Sequence, residues 1–94
     1  MPDLRFEWDA RKSASNANKH KVTFEEARSA FADPDGLVID DPDHSEEEER
    51  FILLGLSYAV RLLVVCHAFR SDVVRIISAR KATPREAATY RRKR

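Results

Sequence analysis

Three histidines, His20, His44 and His67, and a scatter of Arg, Lys, Glu and Tyr side chains carry whatever chemistry this sequence of 94 residues can perform. The histidines lack metal-ligand spacing such as His-Glu-x-x-His. Two glycines are too few for a phosphate-cradling loop, and no Gly-x-Ser-x-Gly elbow is present. Zinc enzymes, nucleotide-binding folds and the common serine hydrolases are therefore disfavoured. The residue types suit one reaction that needs no cofactor, cleavage of RNA by its own 2′-hydroxyl. That hydroxyl must lose a proton, the phosphorane needs positive charge, and the leaving 5′-oxygen must gain a proton. A positioned acid or base contributes about 10² to 10⁴-fold. Arg forks supply paired donors to the phosphate oxygens as charge accumulates.

Lys19-His20 closes a helix, where the helix dipole favours a cation; the same pair could equally be a plain C-terminal cap. His44 sits in an acidic loop and reads as a solvated residue. His67, between Cys66 and Ala68 on a strand, reads as a buried sheet histidine. Glu49 and Arg50 open a strand and point to opposite faces, so they do not act as one unit. With strict alternation Arg80 shares a face with Ser78, Ile76 and Val74, while Arg75 and Lys81 share the other. An Arg at the end of a core strand calls for a partner, either a carboxylate or a phosphate. Tyr90 could stack on a base or pack in the core.

The elements that must hold these groups are short and well signalled. Phe6-Glu7-Trp8 reads as an opening strand, and Asp9 as the cap of a helix over about 10–20. Lys12, Asn16 and Lys19 share a polar side of that helix, which should face solvent, a ligand or a partner. Thr23-Phe24-Glu25-Glu26 is a capping box opening a second helix to about residue 32, with Phe24, Ala27 and Phe31 facing a core. Asp33-Pro34-Asp35-Gly36 ends it in a turn. Strands follow at 37–39, about 49–56, 61–69 and 72–80, with gaps short enough for hairpins. Their apolar runs lack clean alternation, so the sheet should be covered on much of both faces. Thr83-Pro84-Arg85-Glu86 is a second capping box, which starts a C-terminal helix running into a basic tail at 90–94. The predicted domain spans 1–94 and is α+β: an antiparallel sheet, made of a short N-terminal strand plus a meander of about four strands, packed by two N-terminal helices and one C-terminal helix.

A formal net charge of +1 hides a division. Residues 1–50 hold seven Lys and Arg against fourteen Asp and Glu, and residues 51–94 hold ten against two. A basic half is the footprint of contact with a polyanion or an acidic partner. The longest apolar runs fall far short of the roughly 20 residues a membrane helix needs. The N-terminus shows no secretory pattern, so a cytoplasmic protein is expected. The single cysteine, Cys66, reads as a small buried hydrophobe.

The motifs together resemble the BrnT family of toxins. The opening is Phe6-x-Trp8-Asp9-x-x-Lys12-x-x-x-Asn16-x-x-Lys19-His20-x-Val22-x-Phe24-x-x-Ala27. Asp33-Pro34, His44, Glu48-Glu49-Arg50-Phe51, Gly55-x-Ser57 and Arg61 to Val65 follow, and the match closes on Arg75 to Ala82 and Glu86 to Tyr90. Lys21 and Val60 depart from the pattern by standing where relatives commonly carry Gly. The resemblance implies a RelE-like fold, a ribonuclease that arrests translation, and a BrnA-type antitoxin that covers it and represses the shared operon, so that operator DNA is met only through the antitoxin. By motif position it implies His20, Glu49, Arg50, Arg61, Arg80 and Lys81 as catalytic residues. Lys19, Arg75 and Tyr90 are then RNA contacts, with no metal or other cofactor. The competing expectation is a non-catalytic module that binds RNA or a partner.

Overall fold

The computed structural model describes residues 4–41 and 48–93; His44 and the last tail residue lie outside the described residues. The elements run β1 (Arg5–Glu7), α1 (Ala10–His20), α2 (Phe24–Ser29), a 3-10 turn (Ala30–Ala32), β2 (Leu37–Asp40), β3 (Arg50–Leu56), β4 (Leu62–Arg70), β5 (Val73–Lys81) and α3 (Pro84–Lys93). The five strands form one sheet in the order β1-β5-β4-β3-β2. β2 to β5 are the antiparallel meander that short hairpin gaps require. β1 corrects the fully antiparallel expectation, because it pairs parallel to β5, Arg5 with Val73 through Glu7 with Arg75. After β1 the chain passes through α1 and α2 to enter the opposite edge as β2, and comes beside β1 only as β5; a connection that long permits parallel pairing.

Local chemistry accounts for the helix ends. Asp9 Oδ1 accepts from the amides of Arg11 (2.8 Å) and Lys12 (3.0 Å), satisfying two of α1's orphan donors. Thr83 and Glu86 form a reciprocal capping box: Glu86 N donates to Thr83 Oγ1 (3.2 Å), and Thr83 N to Glu86 Oε1 (2.8 Å). At α2 only half of the expected box exists. Glu26 N donates to Thr23 Oγ1 at 3.0 Å, but the Glu26 side chain turns away to Ser57 and Arg61.

One face of the sheet carries Ile76, Ala79, Leu63, Val65 and Leu53, and buries them beneath Val22, Phe24, Ala27 and Ala30. Phe24 is fully buried, and a side chain of that size contributes about 2–3 kcal/mol. Gly55 permits the close seat of the 3-10 turn on β3, since a Cβ there would stand 2.8 Å from Ala30 O. On the other face α3 covers a second core of Leu54, Val64 and Tyr90, flanked by Leu37, Ile52 and Leu62. Both faces are thus partly covered, which explains why the strands do not alternate.

Candidate functional site

A bulge in β5 decides what the open part of the second face presents. Cys66 pairs with Ser78 and His67 with Ile76, leaving Ile77 as an extra residue. Ile76 and Ala79, three positions apart, consequently sit in the same core. The strict-alternation expectation is corrected: Arg75, Ser78 and Arg80 share the second face, and Lys81 goes with Ala79. Cross-strand pairing places Arg75 beside Ala68 and Ala68 beside Arg50, so two arginines about 10 Å apart flank a fully buried alanine. Arg75 lies 3.7 Å from Glu48, and the Arg50 Nε–H is buried with no partner among the described residues. Cys66, expected to be buried, is only half-buried on this face. Its thiol is pushed up to about 11, first by burial and then by its hydrogen bond to Asp41, which makes it a poor nucleophile.

At the outer edge of β5 lies a groove of about 220 Å³ between strand and helix, lined by Lys12, Ser15, Asn16, Lys19, His20, Ile77 and Ser78. Three nitrogen bases and two hydroxyls face it, and among the described residues no carboxylate does. α1 is held there by Asn16. The expectation that Asn16 faces outward with Lys12 and Lys19 is corrected, because it is 7% exposed. Its Nδ2 donates to Ala79 O (2.8 Å) and Val22 O (2.9 Å), while its Oδ1 accepts from Ala79 N (3.0 Å). β1 ends its pairing at Arg75, so the outward amide and carbonyl of Ala79 have no strand beside them. The side-chain amide takes that place.

The other motif residues are spread more widely. Arg80 makes a two-pronged pair with Glu86, NH1 to Oε1 at 2.8 Å and NH2 to Oε2 at 2.9 Å. The Arg80 guanidinium holds the Glu86 carboxyl down to about 2. Arg61 is turned to the helix side. Its Nε donates to Glu26 Oε2 at 2.9 Å, a second nitrogen donates to Glu26 Oε1, and the same group reaches Lys21 O at 3.0 Å. Ser57 Oγ donates to the same carboxylate at 2.7 Å, and the Arg61 hydrogen bonds hold Glu26 below the usual carboxylate range. Glu49 is exposed ahead of β3, two strands from the groove, and Lys81 is exposed at the end of β5. Tyr90 is 5% exposed with its hydroxyl on Asp33 Oδ2 at 2.6 Å, so neither ring face is open to a base.

His67 lies in the core, 1% exposed, its Nδ1 3.1 Å from Val65 O and its ring edge-on to Phe31 and Phe69. Among the described residues no group of three His, Cys, Asp or Glu side chains is placed to hold a metal ion, and no helix is long and apolar enough to cross a membrane. Lys12, Ser15 and Ser78 complete the groove without having been singled out as site residues. The spacing of Lys12 ahead of Lys19-His20 was the available signal for the first, and Ser78 is marked only by its place in the Arg75 to Ala82 stretch of the motif.

Fold and site thus define a small α+β protein with an electropositive groove between its first helix and the edge of its sheet. Residues 8–86 match the family described as "Ribonuclease toxin, BrnT, of type II toxin-antitoxin system", and the chain belongs to that family. Among solved structures it is similar to the Brucella abortus ribonuclease toxin BrnT, with a TM-score of 0.63 and 18% identity over 86% of this chain and 99% of that one. The likeness extends to the α+β architecture of three helices and a five-stranded, mostly antiparallel sheet. No curated protein sequence matches.

Proposed function

We propose that this protein is a metal-independent endoribonuclease that binds RNA across the β5 edge and cleaves it with groups of the α1–β5 groove. The observation that carries this reading is the composition of the groove: Lys12, Lys19 and His20 converge on Ser78 with no carboxylate among the lining residues. A phosphodiester fits such a lining, since each ammonium attracts it without a competing anion. His20 is the one imidazole among the lining residues, a side chain able to serve as general acid or base. It takes the 2′-hydroxyl proton while water supplies one to the leaving 5′-oxygen, or it protonates the 5′-oxygen while water takes the 2′ proton. The 2′-oxygen–phosphorus bond forms as the phosphorus–5′-oxygen bond breaks, leaving a cyclic phosphate and a free 5′-hydroxyl. Lys12 and Lys19 stabilise the phosphorane. Arg75 and Arg80, on the face that Ser78 shares, guide the flanking backbone, with Arg50 and Lys81 as further cations. Glu49, the alternative base in the motif, lies two strands away and has no part in the groove.

In the cell this activity arrests translation in the cytoplasm, and a BrnA-type antitoxin neutralises it and carries any contact with operator DNA. The test is purified, antitoxin-free chain incubated with cellular RNA in EDTA, beside His20→Ala and a Lys12→Ala/Lys19→Ala double variant. Wild-type cleavage that falls at least about 10²-fold in His20→Ala supports the assignment. RNA that stays intact while still bound by a folded wild-type chain would establish the non-catalytic binding module instead.

A further inference from the structure

The opposite edge of the sheet is chemically unlike the groove. Among the described residues β2 pairs only with β3, and Asp41 N donates to Arg50 O at 3.1 Å. In an antiparallel ladder that bond sets the alternation: Leu37, Ile39 and Asp41 bond inward, so the amides and carbonyls of Val38 and Asp40 point away from the sheet. Val38 is 56% and Ile39 59% exposed, on opposite faces of the strand. Edges are usually blunted by Lys, Pro or an inward charge. Here two adjacent β-branched residues stand open beside backbone with no strand partner among the described residues.

Charge decides what can cover them. Between residues 33 and 49 the chain carries nine Asp and Glu and no Lys or Arg. RNA is repelled by such a stretch, and a second copy would bring its own carboxylates against it. A strand with Lys or Arg among its apolar residues is attracted. We propose that β2 is the docking edge for an extended, basic segment of a partner protein, added as a sixth strand. Its apolar side chains cover Val38 and Ile39, and its cations meet the exposed Asp40. This rests on the reading that the chain has a neutralising protein partner, and it separates the partner's edge from the RNA-binding edge by the width of the sheet.

The probe is a capped seven-residue peptide, Lys-Val-Val-Lys-Val-Val-Lys, with valines on both faces, titrated to millimolar concentration into the isotope-labelled chain. The amide signals of Val38 and Asp40 shift and their hydrogen exchange slows, whereas a Glu/Val peptide leaves both unchanged. Val38→Pro removes an outward N–H that β3 does not use, and weakens peptide binding about tenfold, a single hydrogen bond's worth. Asp40→Lys does the same by charge and serves if the proline variant does not fold. No response at these two amides, an equal response to the acidic peptide, or undiminished binding by both variants overturns the proposal. So does protection of the amides by self-association without peptide, which would make a second copy the occupant. RNA cleavage, assayed separately on the same Val38→Pro protein, stays at the wild-type rate, so a chain that fails as a nuclease still reports on its edge.

Discussion

Asn16 and Ala79, 63 positions apart in sequence, hold each other by a two-way pair of hydrogen bonds, side-chain amide against backbone amide. This pair fixes the distance between α1 and β5, and hence the width of the groove that Lys12, Lys19 and His20 share with Ser78. Asn16→Ala strands Ala79 N and O and Val22 O. Each unpaired buried group costs about 1–3 kcal/mol, and water entering the open groove recovers part. A loss of about 2–4 kcal/mol in urea unfolding is expected. A loss below about 0.5 kcal/mol, the size of an ordinary surface substitution, would show that the pair does not secure the helix.

Arg61 belongs to the catalytic set by motif, yet its guanidinium is engaged by a carboxylate that is itself 5% exposed. Arg61→Ala leaves Glu26 charged and buried, at a cost of about 3 kcal/mol. Adding Glu26→Gln should restore part of that stability, a double-mutant test in which the pair is more stable than the single. A stable, well-folded Arg61→Ala protein devoid of nuclease activity would instead make Arg61 a group that touches RNA.

Lys21 (φ 60°) and Val60 (φ 59°), the two positions where the family pattern favours Gly, are both left-handed. Lys21 is the C-cap of α1, its amide bonded to Ala17 O, and Val60 ends the β3–β4 turn at 76% exposure. A β-branched residue is strained there. Val60→Gly should gain about 1 kcal/mol and Lys21→Gly somewhat less, visible as raised melting temperatures. A fall in melting temperature at Val60→Gly would contradict this.

The Arg80–Glu86 pair makes stability depend on acid. Glu86 has a folded-state pKa depressed to about 2 by Arg80, so its contribution is complete above its ordinary value near 4.5 and is lost as pH falls toward 2. Glu86→Gln should melt lower than wild type at pH 7, and the two curves should converge near pH 2. A constant gap across that window would remove the ion pair as the cause.

His67 acts at milder pH. Burial among Phe31, Phe51 and Phe69 lowers its pKa, so the unfolded chain takes up the proton first. The neutral ring's contribution is complete above about pH 6.5 and declines as pH falls below it. His67→Phe keeps the aromatic packing and should flatten that part of the stability profile. An unchanged slope between pH 6.5 and 5 would count against this account.

Much of this architecture was legible because its signals are local. Asp9, Thr23 and Thr83 announced three helices, apolar runs announced β3, β4 and β5, and turn residues placed the hairpins. The illegible parts depend on single residues or distant partners. One extra residue at Ile77 reverses which side chains join Arg80, and composition carries no trace of it. Asn16 looks like any polar residue on an exposed helix face until Ala79 is beside it. The parallel seat of β1 required knowing which edge of β5 stays free. Residue identities placed Lys19 and His20 in a candidate site, but the wall opposite them came from the far end of the chain.

That wall has a consequence for synthesis. β1 and α1 leave the ribosome well before β5, the strand against which both seat. Until Ala79 has been translated they have nothing to dock on, and contacts so far apart in sequence close late. A truncated chain carrying Lys12, Lys19 and His20 would hold all three cations of the groove and none of the surface they face. Any activity housed there begins only after β5 has been made.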